Sequence, residues 1–395
     1  MNASIMLGNR RLIVDTHSGV SDCLKAWIDE EFWNLGTATR DTNAIYVVCR
    51  QTVVENNALI KDLAHAGAKI VLSIPEEGSE TLLTMCLRWG LADLIQSGQV
   101  LLISGGDMHP RWIHIQHEFF LPKIHYCEHN QQAIAQSDTI FTKHNKPYKF
   151  LFLNGRGRSH RKYLLEQFRL TGLLDHSLWS LLDQSIGLIQ QSNSGPWFDI
   201  DPELVNIQLI HHGENLITAH RPVQYLPAKY EVDRYRERVG HAVDNSFVKT
   251  NLFNNEWGEL YLNLESYVDT YFSLVTETVF TYPYSFRTEK IWKPIAIGHP
   301  WIAVANQGFY RDIRNLGFQT FDGIIDESFD SIECSQARIE RIAKIVEDLC
   351  EQDLDQFLAE CYNICKYNQQ HYADLAQQSP ADFSDQLHNF LIKHQ

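Results

Sequence analysis

Arg287-Thr288-Glu289-Lys290-Ile291-Trp292-Lys293-Pro294-Ile295-Ala296-Ile297-Gly298-His299-Pro300-Trp301-Ile302-Ala303-Val304 decides how this chain is read. Its pattern predicts a short helix opening on a Glu-Lys pair, a Gly-His-Pro turn and a buried strand. A carboxylate beside an ammonium at a helix start holds opposite ends of a polar ligand. The carboxylate accepts from ribose hydroxyls, and the ammonium and helix N-terminus favour a diphosphate. The plain alternative is an amphipathic helix with Glu289, Lys290 and Lys293 in solvent and Trp292 and Ile295 in the core.

A second cluster lies upstream. Asn154-Gly155-Arg156-Gly157-Arg158-Ser159-His160-Arg161-Lys162 directly follows the apolar run Lys149 to Asn154 and opens a helix predicted over Ser159 to Leu170, with Ser159 as its N-cap. Glycines let a ligand approach the backbone, the helix start presents free N–H groups, and arginine binds a diphosphate bidentately. A basic surface turn pairing with nearby carboxylates is the structural alternative. A third group, Pro75-Glu76-Glu77-Gly78 and Ser104-Gly105-Gly106-Asp107-Met108-His109, falls where two further strands end. A carboxylate there is placed to deprotonate a hydroxyl, which makes Asp107, then Glu77, the candidates for a general base. Turn or cap acids are the alternative reading of each.

Around these clusters the chain alternates strand and helix. Leu12 to Val14, Ala44 to Cys49, Lys69 to Ile74 and Val100 to Ser104 read as buried strands, with helices over Glu55 to Ala66 and Glu80 to Gln96. After a polar connector, Thr142 to Pro147, the rhythm resumes with Lys149 to Asn154, Tyr271 to Thr276 and Trp301 to Val304. Residues 191–230 are the least periodic, and the tail from Ser335 reads as helical, broken near Ser379-Pro380. Strand, helix, strand implies parallel sheets with crossover helices. The expected fold is α/β: two Rossmann-like lobes and a helical C-terminal tail, with a cleft facing the strand C-termini.

With 395 residues, 44% apolar and 21% charged, two soluble domains are the natural expectation. A net charge of −15 argues against a role on nucleic acid or anionic membranes. No apolar stretch is long enough for a bilayer span, and the N-terminus has no secretory pattern, so a cytoplasmic location is expected. Eight cysteines without C-x-x-C pairs fit a reducing compartment, with Cys361 and Cys365 as core thiols. Asp199-Ile200-Asp201 and Asp353-Leu354-Asp355 match an Asp-x-Asp metal pattern that such an acidic chain produces by accident. No metal ligand set, Ser nucleophile elbow or Walker A loop is present.

Together these residues resemble the donor lobe of GT-B glycosyltransferases of the fucosyltransferase type. In that family a Thr-Glu-Lys-Leu-Trp helix precedes a Gly-x-x-Pro turn and an apolar strand, as Thr288 to Trp292, Gly298-His299-Pro300 and Trp301 to Val304 do here. Lys149 to Asn154, Arg161 and Leu164 are similar to the segment that opens the family's donor lobe. Thr276-Glu277-Thr278 stands where the family has Glu-Asn-Ser. The segment from Leu316 to Ser328 is similar to uncharacterised phage and bacterial glycosyltransferase-like proteins. The likeness covers roughly residues 149–330, and the first lobe has no motif-level match.

The resemblance implies an acceptor lobe over 1–145, a donor lobe over 146–369 and a C-terminal helix over 370–395 packing back on the first lobe. It implies donor binding by Asn154, Arg156, Arg158, Arg161, Glu277, Glu289, Lys290 and Lys293, with Arg161 and Lys290 on the diphosphate and Glu289 on the ribose. The expected activity is a metal-independent, inverting transfer from a GDP- or UDP-sugar to a hydroxyl of a glycan, lipid, small molecule or protein. The nucleotide sugar is a co-substrate, and no bound cofactor is expected. The rivals are a sugar-nucleotide epimerase or hydrolase on the same fold, and a non-catalytic nucleotide-sugar or protein-binding module.

Overall fold

The computed structural model describes residues 6–7, 10–14, 41–108, 110, 112–154, 158–181 and 260–394. Contacts divide the chain into two compact units, Met1–Phe119 with Ala376–Gln395, and Phe120–Leu375. The division precedes the Thr142–Pro147 connector, and of the tail only Ala376–Gln395 belongs with the first unit. The chain is an α/β protein with largely parallel sheets.

The first unit carries β1 (Met6–Leu7), β2 (Arg10–Val14), β3 (Ala44–Val48), β4 (Lys69–Ile74), β5 (Val100–Ser104) and β6 (His114–Gln116). They form one sheet in that order, antiparallel between β1 and β2 and parallel thereafter. Every residue of β3 and β5 is buried, as expected of strands covered on both faces. The first described helix, α1 (Arg50–His65), starts before the expected Glu55 because a kink at Asn56 joins two helical pieces. The helix expected over Glu80 to Gln96 is two, α2 (Ser79–Arg88) and α3 (Ala92–Gln96). Gly90, with φ +66°, ends the first of them in the left-handed conformation that glycine adopts without strain.

The second unit opens with α4 (Phe120–His125), α5 (Glu128–Ala135) and α6 (Thr139–Thr142). It continues with β7 (Tyr148–Asn154), α7 (Ser159–Leu170), β8 (Leu178–Leu181), α8 (Leu264–Val268) and β9 (Thr270–Thr276). Then follow α9 (Glu289–Ile297), β10 (Trp301–Val304), α10 (Phe309–Asn315), α11 (Ser335–Cys350) and α12 (Leu354–Lys393). Its described strands are all parallel, in the order β10-β9-β7-β8. The chain therefore leaves β7 towards β8 and later returns to β7's other side with β9 and β10. That reversal is a topological switch point, and open parallel sheets bind ligands beyond the strand C-termini at such a point. The described strands of the first sheet run in sequence order from β1 to β6, with no such reversal among them.

The tail corrects one expectation. A break was expected at Ser379-Pro380, yet α12 runs through Pro380 to Lys393. Pro380 has no N–H for the Ala376 carbonyl, a loss of roughly 3 kcal/mol in a helix interior. Phe383, Leu387 and Leu391, spaced i, i+4, i+8, lie buried with Leu12, Val14, Ile45, Val47, Val71, Leu101 and Ile103 of the first unit. Burying three such side chains contributes roughly 2 kcal/mol each, enough to keep the helix intact past the proline.

The opening stretch forms the predicted helix, turn and strand. Thr288 caps α9 through its side chain, and Gly298 ends it at φ +70°. The Gly298 amide donates to the Ile295 carbonyl and the His299 amide to that of Pro294 (2.8 Å), a double closure of the last turn. A Cβ at residue 298 would stand 3.3 Å from Oε1 of Gln369, whose Nε2 donates to the Ala296 carbonyl. Gly298→Ala is expected to cost roughly 1–2 kcal/mol, read as a lower urea midpoint at unchanged slope.

Candidate functional site

Four segments of the second unit converge at the carboxyl end of the β7–β9 switch: the end of β7, the start of α7, the end of β9 and the start of α9. Asn154 ends β7 and is 1% exposed. Its Oδ1 accepts from Thr276 Oγ1 (2.8 Å) and its amide donates to Ser180 Oγ (3.3 Å). It thus ties β7 to both neighbours at the crevice floor.

Helix α7 does not begin as expected. Arg158 occupies the cap position and Ser159 is the first helical residue. The stripe that buries Leu164, Leu165 and Phe168 also carries His160 and Arg161 inward, and Lys162 is fully buried. Arg161 Nη2 donates to the carbonyls of Thr276 (2.8 Å) and Glu277 (3.4 Å). His160 Nε2 faces the Glu277 carbonyl at 3.0 Å, so that nitrogen carries the proton. Burial, then the charges of Arg161 and Arg158, push the His160 pKa well below the usual histidine range. This ring is neutral at physiological pH and adds no positive charge to the crevice. Of the basic run, Arg158 is half-buried, while Arg156 lies outside the described residues with Gly155 and Gly157.

Glu277 is fully buried at the end of β9. Its carboxylate accepts from the Thr288 amide (3.1 Å), the Thr288 hydroxyl (2.7 Å) and the Thr278 amide (3.2 Å). Burial raises its pKa, opposed by Lys290 and the Thr288 hydrogen bonds. Both oxygens are engaged in closing the loop from Glu277 to Thr288, and through Thr288 they fix where α9 starts. The Thr288 hydroxyl in turn accepts from the Lys290 amide (3.2 Å) and ammonium (3.3 Å).

Glu289 and Lys290 form an ion pair at the helix start, with side chains 5% and 25% exposed. Burial pushes the Glu289 carboxyl up, but Lys290, then Lys293, outweigh it and hold it ionised below its usual range. Lys290 and Lys293 are therefore the partly open cations here, while Glu289 is the buried anion between them. Below the site, His299 is a structural group. Its Nε2 donates to the Thr270 carbonyl (3.0 Å) and its Nδ1 faces Ser273 Oγ (2.9 Å). Burial, then Lys146, lower its pKa to about 3.

The remaining candidates lie elsewhere. Glu77 and Asp107 sit in the loops after β4 and β5, where the Gly105 amide donates to the Glu77 carbonyl (3.0 Å). Both are half-buried, with Arg50 4.0 Å from Glu77. Asp353 caps α12, its Oδ1 accepting from the amides of Asp355 (3.0 Å) and Gln356 (3.1 Å). Asp199 and Asp201 lie outside the described residues. Among the described residues no group of three or more His, Cys, Asp or Glu is arranged to hold a metal ion. No described helix is long and apolar enough to cross a membrane. A cavity of about 900 Å³ opens beyond β10, lined in part by Arg311, Arg314, Asp322, Asp326 and Glu327. Its charges are largely cross-braced, Arg314 to Glu327 (2.8 Å) and Asp326 to Arg341.

Two supporting residues, Thr288 at the crevice and Arg338 behind it, were missed in the sequence. Thr288 precedes a helix-opening Glu-Lys pair, which is a cap signature. Arg338 interrupts the apolar stripe of Ile339, Ile342 and Val346 on α11, and a charge in such a stripe signals a buried role. The chain matches no protein-family model, no curated protein and no solved structure.

Proposed function

We propose that the β7–β9 crevice binds the diphosphate of a nucleotide sugar and that the protein is a glycosyltransferase of the GT-B type. One observation carries the reading. The strand ends at the switch point are braced by Asn154, Arg161 and Glu277, and this bracing presents the starts of α7 and α9 with Arg158, Lys290 and Lys293 around them. The positive ends of two helix dipoles and the flanking cations favour a diphosphate in a chain that is acidic overall. The same charges stabilise a departing nucleoside diphosphate as a glycosidic bond breaks.

In this reading Glu289 accepts from ribose hydroxyls, and Arg161 acts by holding the β9 terminus rather than by touching the ligand. Asp107 and Glu77 are the proposed sources of the general base that activates an acceptor hydroxyl. A GDP- or UDP-sugar is the proposed donor.

Isothermal titration with GDP, UDP and their sugars, with and without divalent metal, tests the proposal. Lys290→Ala is expected to weaken nucleoside diphosphate binding about thirtyfold, the value of one charge-assisted bond of roughly 2 kcal/mol. Wild-type protein that binds none of these ligands, or a folded Lys290→Ala variant with undiminished affinity, overturns it.

A further inference from the structure

Arg338 is 1% exposed, and its hydrogen-bond acceptors are carbonyl and hydroxyl oxygens. Nη2 donates to the carbonyl of Phe280 (2.6 Å) and to Ser335 Oγ (3.3 Å). Nη1 donates to the carbonyls of Ile332 (2.7 Å) and Glu333 (3.2 Å), and Nε to that of Ala305 (3.3 Å). Phe280 lies in the loop after β9, Ala305 follows β10, and Ile332 and Glu333 lead into α11. One guanidinium thus gathers three connecting segments at the carboxyl edge of the sheet. A planar fork with five donors suits that task, and a lysine ammonium with three does not.

The grip extends towards the crevice. The guanidinium lies 4.6 Å from the centre of the Phe280 ring, which stacks on His160 at 5.1 Å. His160 holds the Glu277 carbonyl, and the Glu277 carboxylate holds Thr288, the cap of α9. The loop over 277–288 is therefore fastened at its start by His160 and Arg161, near its middle by Arg338, and at its end by Glu277. Ser285 adds a bond to Asp312 (2.6 Å). Such a loop presents the start of α9 in one conformation before any ligand arrives, and so lowers the ordering cost of binding.

We infer that Arg338 is a positioning residue for the crevice, setting nucleoside diphosphate affinity through Phe280 and the 277–288 loop without touching the ligand. The inference rests on the nucleotide-binding reading above. The test uses the full chain, with UDP and GDP as probes, well below each variant's melting temperature. Arg338→Lys and Arg338→Ala are expected to bind about tenfold more weakly, a coupling of ordinary size. Amides over 278–288 should lose hydrogen-exchange protection while those of β9 keep theirs, and millimolar guanidinium should restore the affinity of Arg338→Ala. Phe280→Leu keeps the buried charge and its carbonyl bonds but removes the ring contact, so it folds even where the arginine variants do not. It is expected to weaken binding in the same direction.

Wild-type affinity in folded Arg338→Lys, or in Phe280→Leu if the arginine variants fail to fold, overturns the inference alone, provided that Lys290→Ala still loses binding. Wild-type protein without affinity for either nucleotide overturns both the inference and the reading beneath it.

Discussion

Between pH 6.5 and 4.5 the second unit is expected to lose unfolding free energy through both His160 and His299, about 2 kcal/mol of it through His299. Each ring is buried, and each has a folded pKa far below the unfolded value near 6.5. The sign follows from proton uptake. Above pH 6.5 neither state is protonated and the full stability is present. As the pH falls through 6.5 the unfolded chain takes up both protons while the folded chain does not, so stability declines by about 1.4 kcal/mol per pH unit for each histidine. For His299 the decline ends only near pH 3, where the folded ring protonates.

Urea titrations at pH 6.5, 5.5 and 4.5 read this slope, and the histidine variants separate it from the carboxylates that titrate at the acid end. His299→Gln retains a donor for the Thr270 carbonyl and an acceptor for Ser273, and should flatten the slope. His160→Gln should flatten it in the same sense. Equal slopes in wild type and both variants would contradict the buried, neutral assignment.

These two histidines show where the sequence was legible and where it was not. Glu289 to Val304 was readable because each step is local: a charged helix start, an apolar period, a glycine and a run of strand formers. The strands and their parallel character were readable for the same reason. Strand order was not, since β10-β9-β7-β8 depends on pairings between segments far apart in sequence, and the switch point that defines the crevice exists only in that order.

The basic run after Asn154 was readable as a helix start but not as to which charges stay open. Leu164, Leu165 and Phe168 fix the buried face of α7, and the same 3.6-residue period carries His160 and Arg161 onto it. Arg338 follows that logic on α11. In both helices a charged residue on the apolar stripe holds carbonyls at strand ends. Sequence alone marks such a residue as unusual and cannot name its acceptors. Pro380 misled in the opposite direction, because a local breaker was outweighed by tertiary burial of the turns beyond it.

Leu387→Asp is expected to unfold the first unit's sheet while leaving the second unit's protection pattern in place. Leu387 is fully buried between Phe383 and Leu391 on the last turns of α12, against Leu12, Val14, Ile45, Val47, Val71, Leu101 and Ile103. Those strand residues alternate along β2, β3, β4 and β5 and so form one face of the sheet. A carboxylate placed among them has no cation within the cluster, and its burial costs at least about 4 kcal/mol beyond the lost leucine contacts. Leu387→Ala should cost about 3 kcal/mol by loss of contacts and the cavity left behind. The two variants together separate packing from charge. Hydrogen exchange reads the outcome by segment: amides of β3, β4 and β5 should exchange rapidly in Leu387→Asp, while those of β7 and β9 retain wild-type rates. Loss of protection in β7 and β9 to the same degree would mean that the two units unfold as one cooperative body. Unchanged protection in β3 to β5 would remove α12 as the cover of that face. The helix continues past Pro380 because this face is covered. Removing the apolar stripe should therefore also free the turns beyond the proline to fray, and fast exchange of amides over 381–393 in Leu387→Asp is the accompanying sign.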